Sequence, residues 1–98
     1  MGNTYGLNVW NLDTQGTDIT DKVRVQRIEW YPAAVDNDLL IEESSTGEDI
    51  MRCRAKIASG ANMEEIGTIV RNYGGRGRDF QGLKLTTLDG GIVRVFLV

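Results

Sequence analysis

The residues read as an all-β chain, mainly antiparallel, folding as a small β-sandwich or a jelly-roll-like domain. Three observations point there. Apolar and polar residues alternate with period two in several segments, the mark of strands with one buried and one wet face. Polar turns with glycine separate those segments at short intervals. A single stretch, "ANMEEIGTIV", places Met63, Ile66 and Val70 at helical spacing, but Gly67, Thr68 and Ile69 oppose a stable helix. At most one short helical turn is expected, near residues 61–67, leading into a strand.

In chain order, Tyr5, Leu7 and Val9 alternate, while Trp10 and Leu12 take the opposite parity. Residues 1–20 are read as an N-terminal strand or an arm lying on another subunit, and 21–98 as a single β domain. "DKVRVQRIEW" points Val23 and Val25 inward, then shifts parity to Ile28 and Trp30. A β-bulge near Gln26 or Arg27 would restore the phase. "NDLLIEE" gives a short strand with Leu39 and Ile41 inward, joined by the turn "SSTGED" to "DIMRCRAKI". There Met51, Cys53, Ala55 and Ile57 share one face, and Arg52, Arg54 and Lys56 the other. The tail "FQGLKLTTLDGGIVRVFLV" reads as a hairpin turning at Asp89-Gly90-Gly91, where glycines allow positive φ.

With 98 residues, the chain makes one domain. Its 41% hydrophobic and 26% charged content suits a globular protein rather than a disordered one. No apolar run approaches the ~20 residues that span a bilayer, so no membrane partner is expected. The start, "MGNTYGLNVW", lacks the regions of a signal peptide and the sixth-position Ser or Thr of a myristoylation signal. A lone cysteine, Cys53, suits assembly in a reducing cytosol. The net charge of −3 argues against a nucleic-acid partner.

The charge distribution says more. Glu29, Asp36, Asp38, Glu42, Glu43, Glu48 and Asp49 fall in a stretch without a base, whereas Arg71, Arg76, Arg78 and Lys84 share theirs with Asp79 alone. Such segments suit either attraction between copies or ordinary solvated surface.

Catalysis finds little support. The chain has no histidine, which removes the commonest general base and the usual hydrolase triads. Cys53 reads as a small buried hydrophobe. Glu42 and Glu43, as neighbours in a strand, point to opposite faces and cannot flank a sugar together. Asp36-Asn37-Asp38 resembles the start of a calcium loop, but Ile41 and Gly47 stand where its glycine and glutamate belong. The protein is therefore expected to be no enzyme, with no cofactor and no metal.

"RNYGGRGRDF" is neither a Walker loop nor a dinucleotide fingerprint. It is read as a flexible loop in which Arg71, Tyr73, Arg76, Arg78 and Phe80 are the candidate partner-binding residues. Arginine forks and tyrosines favour protein interfaces.

Four stretches, "VRVQRIEWYPAA", "DNDLLIEE", "EDIMRCRAKI" and the tail with Gly82-Leu83, Leu88-Asp89-Gly90-Gly91 and Phe96-Leu97, carry a resemblance. In their order the chain resembles small bacteriophage virion structural proteins of the capsid decoration or cement type. The resemblance implies a non-enzymatic protein located in the virion after assembly in the host cytoplasm. Its implied partners are a major capsid protein and further copies of itself, with a trimer as the first expectation. It carries over no catalytic residue. The alternative is a carbohydrate- or receptor-binding β-sandwich module of a virion fibre or tail. Trp30 and Tyr31 beside Asp36 would be its sugar site, against the simpler reading of Trp30 as core.

Overall fold

The computed structural model describes residues 2–55 and 68–98. Two antiparallel sheets face each other across one core, and no helix occurs among the described residues. The expected helical turn at 61–67 lies outside the described residues.

The larger sheet contains β1 (Thr4–Tyr5), β2 (Val9–Leu12), β4 (Val23–Tyr31), β7 (Ile69–Asn72), β8 (Arg78–Phe80) and β10 (Ile92–Leu97). Its order is β1-β2-β10-β4-β7, and β8 also pairs with β4. The smaller sheet contains β3 (Asp18–Ile19), β5 (Asp38–Glu42), β6 (Asp49–Arg54) and β9 (Leu83–Leu88), in the order β3-β9-β5-β6. Leu12, Val25, Ile28, Trp30, Val93 and Val95 come from the first sheet. They meet Leu39, Ile41, Met51, Leu83, Leu85 and Leu88 from the second.

Strand β4 organises the larger sheet. Phe96 pairs with Arg27 but Leu97 pairs with Val25, so Gln26 stands unopposed as a bulge. Val23, Val25, Ile28 and Trp30 can then all face inward. The smaller sheet uses the same device twice, which the sequence did not signal. Ile50 is the extra residue between Met51 and Asp49 opposite β5, and Thr86 the extra one between Thr87 and Leu85. The second of these lets Leu85 and Leu88 both reach the core despite their odd spacing.

Residues 2–20 contribute strands to both sheets rather than an arm. β2 pairs with β10, Leu12 is buried, and β3 joins the smaller sheet. Trp10 packs against the core, with Tyr5 edge-on to it at 5.7 Å.

The tail is not a hairpin. β9 pairs with β3 and β5, and β10 with β2 and β4, so Asp89–Gly91 carries the chain from one sheet to the other. Each strand has one apolar face, and those faces meet across the core instead of lying side by side. The crossing is held by hydrogen bonds of both backbone and side chains. Trp30 Nε1 donates to the Gly90 carbonyl at 3.0 Å, Asp89 N donates to Asp38 O at 3.1 Å, and Asp38 N donates to Asp89 Oδ2 at 2.9 Å. Gly91 has φ 85°, and a Cβ there would collide with the Tyr31 carbonyl oxygen.

Gly91→Ala is accordingly expected to destabilise the fold by at least about 2 kcal/mol, from left-handed backbone plus the collision. Gly75→Ala, where a Cβ meets nothing within 4 Å, should leave the midpoint of urea unfolding nearly unchanged. Equal midpoints for the two variants would contradict the crossing.

Candidate docking surface

The glycine-rich segment is an excursion in an edge strand. β7 runs along β4, with Trp30 opposite Ile69 and Arg27 opposite Asn72. Tyr73 N then donates to Gln26 O at 2.9 Å, on the bulged residue itself. The chain leaves β4 for residues 74–77, where Gly77 N donates to Gly74 O at 3.1 Å, and Arg78 rejoins opposite Val25. Gly77, at φ 71°, comes so close that a Cβ would lie 2.8 Å from Val25 O. Arg24 Nε donates to Arg76 O at 2.7 Å. The expected flexible loop is therefore a tethered turn, bound to β4 before, within and after its glycines.

The candidate residues separate. Phe80 is 5% exposed and belongs to the core, so it cannot contact a partner. Tyr73 is half-buried against that core, its ring edge-on to Phe80 at 5.5 Å. Burial raises its phenol pKa. Alternation along an edge strand turns both rings inward, an orientation that reading the segment as a loop concealed.

Arg71 and Arg78 line a small cleft, about 150 Å³, together with Glu43, Glu48 and Asp49. The acidic turn after β5 thus faces the basic segment within one molecule, and the charge split is answered in part internally. Glu43 is the clasp. Its Oε2 accepts from Gln81 N and its Oε1 from Thr46 Oγ1, each at 2.7 Å. Those two bonds, aided by the charge of Arg78, hold its carboxyl below its ordinary value.

Arg76 differs. It is exposed at the tip of the turn and makes no ion pair among the described residues. Its neighbours come from three other segments. Leu97 N donates to Asn8 O at 2.8 Å and Val98 N to Arg24 O at 3.2 Å. These bonds gather the β1–β2 turn, the end of β10, the start of β4 and the glycine turn at one end of the sandwich. Leu7 is 93% exposed there and Val98 59%. Lys22 and Arg24, at the start of β4, lie 3.5 and 3.6 Å from Asp79. The alternation of Tyr5, Leu7 and Val9 alone does not distinguish Leu7. The signal was present, since Gly6 between Tyr5 and Leu7 marks a turn, and Gly6 N donates to Val9 O at 3.0 Å.

The expected sugar site is not assembled. Trp30 is fully buried, whereas Tyr31 faces out from the opposite side of the strand. Asp36 sits in left-handed backbone at φ 69°, its N donating to Ala55 O just past the end of β6. In the same turn Asn37 Oδ1 accepts from Ala34 N, and Asp38 takes Arg54 Nε at 2.8 Å, which lowers its carboxyl pKa. Cys53 is half-buried against the core, and burial raises its thiol pKa. A raised thiol is a poor nucleophile at neutral pH. No family model, curated protein or solved structure matches the chain.

The lowered carboxyls at Asp38 and Glu43 fix a sign. Their contribution to stability is full above the unfolded-state carboxyl pKa, about 4, and is lost as pH falls through the lower folded value. Glu43→Gln should be less stable than the parent at pH 7, and its melting temperature should fall less between pH 5 and pH 2.5 than the parent's. Parallel melting curves across that range would contradict the clasp.

Proposed function

We propose that the protein is a non-enzymatic structural protein of a phage virion that binds the capsid surface as a decoration or cement protein. The observation that supports this most is the end of the sandwich where exposed Leu7 and Val98 gather with the turn that carries Arg76. Exposed apolar side chains near an arginine without an ion pair among the described residues suit a repeated acidic protein surface. The turn bearing Arg76 is pinned to β4, so little backbone ordering is needed on contact.

Single exposed ion pairs contribute only ~0–1 kcal/mol, so such a contact needs repetition. A capsid supplies many identical sites, and a small homo-oligomer, with a trimer as the first expectation, would multiply the contact through avidity. Arg71 and Arg78, facing Glu43, Glu48 and Asp49, have a smaller part in this reading than Arg76.

The test is the chain's stoichiometry in purified particles, with its solution mass measured alongside. The parent should be present in a fixed ratio to the shell protein and should dissociate as salt is raised. Leu7→Asp combined with Arg76→Ala should cut occupancy about tenfold or more through loss of avidity, with the melting temperature nearly unchanged. Absence of the parent from particles, or full occupancy by the double variant, would overturn the proposal.

A further inference from the structure

The outer face of the larger sheet carries a hollow of about 530 Å³, within the range of small-molecule sites, ~300–1,000 Å³. It lies across β1, β2, β10 and β4. In register, Arg94 sits between Asn11 and Glu29, and Ile92 lies opposite Tyr31. Tyr31 and Ile92 are 38% and 40% exposed and supply an apolar floor. Thr4, Asn11 and Asp13 supply polar groups along the other side.

Arg94 is held in a particular way. Its Nε donates to Asn11 Oδ1 at 2.9 Å, and Asn11 Nδ2 donates on to Thr4 Oγ1 at 3.2 Å. Its guanidinium carbon lies 5.8 Å from the centre of the Tyr31 ring, and the Tyr31 hydroxyl donates to Glu29. Glu29 in turn lies 3.0 Å from Arg27 Nε. Arg24, Arg27, Arg52 and Arg54 each have a carboxylate within 4 Å, but Arg94 has none among the described residues. Its Nε is tied to a neutral amide, and the Tyr31 hydroxyl is a second neutral partner, so no carboxylate answers its charge among the described residues. A guanidinium fixed at Nε by a neutral amide, with no carboxylate on its fork, is preorganised for one.

We propose that this hollow binds an acidic sugar, a hydroxylated ring bearing one carboxylate. The Arg94 fork takes the carboxylate in two parallel bonds. The Tyr31 ring and Ile92 lie under the apolar face of the sugar. Asn11, Thr4 and Asp13 exchange hydrogen bonds with its hydroxyls, and the negative charge of Asp13 turns the carboxylate toward Arg94. A neutral sugar would leave the fork unpaired, and a simple carboxylate would leave the floor bare. The inference does not rest on capsid docking. The docking end lies where β10 finishes, and the hollow lies nearer where it begins, so failure of either reading leaves the other standing.

The test is titration of the full chain with a galacturonic acid trimer, a glucose trimer and acetate, followed by backbone amide chemical shifts. The trimer acid should bind saturably, shifting Asn11, Tyr31 and Arg94, at least about tenfold more tightly than the glucose trimer or acetate. Arg94→Gln should weaken it by a similar factor, and Arg94→Lys by less, because charge survives but the fork does not. Arg52→Gln, on the other sheet, should change nothing. No saturable binding up to about 10 mM, equal binding of the neutral trimer or of acetate, or undiminished binding by Arg94→Gln would each overturn the site.

Discussion

One extra residue in one strand shapes much of this molecule. β4 is the longest strand among the described residues and is paired along both edges, with β10 on one side and β7 and β8 on the other. Without the bulge at Gln26, period-two alternation would send either Val23 and Val25 or Ile28 and Trp30 to solvent. The bulge also divides the neighbouring edge strand. The carbonyl of Gln26 takes the amide of Tyr73, the chain steps away through Gly74–Gly77, and Arg78 resumes pairing at Val25. An edge strand broken in this way offers a poor template to another chain's strand. The turn that exposes Arg76 is thus a consequence of how β4 keeps four side chains in the core.

The same strand links the core to the outer face. Trp30 faces inward and donates to the backbone of the sheet crossing, while its neighbours Glu29 and Tyr31 face outward beside Arg94. Charges elsewhere are arranged locally. Among the described residues four of the five ion pairs join exposed side chains, where screening leaves each worth little. Their role is to orient side chains and to reduce the number of cations free to attract a partner. Arg76 and Arg94 stand outside that pattern, one at an end of the sandwich and one on a face.

Much of the fold was legible because strand alternation is a local signal. The parity change between Val25 and Ile28 gave the bulge position directly, and Leu39 with Ile41 gave an inward face. The sheet crossing at Asp89–Gly91 was not legible. A glycine turn between two apolar strands has the same composition whether the strands pair with each other or face each other across a core. The difference lies in Tyr31, Asn37 and Trp30, distant in sequence, which pack against the turn. The candidate site was hidden for a related reason. Reading "RNYGGRGRDF" as a loop treated five side chains as equally free. Pairing with β4 buried Phe80, half-buried Tyr73 and turned Arg71 and Arg78 toward the acidic turn. The hollow around Arg94 draws on residues from Thr4 to Arg94, a grouping that no local pattern announces.

The dependence of the sandwich on the unopposed residue in β4 is open to a direct measurement, the equilibrium urea unfolding of the chain with Gln26 deleted. Removing the residue keeps every core side chain but forces half of β4 to present the wrong face. The variant should lose roughly 3 kcal/mol or more, or fail to fold cooperatively. A deletion variant that unfolds cooperatively at the parent's urea midpoint would contradict the account.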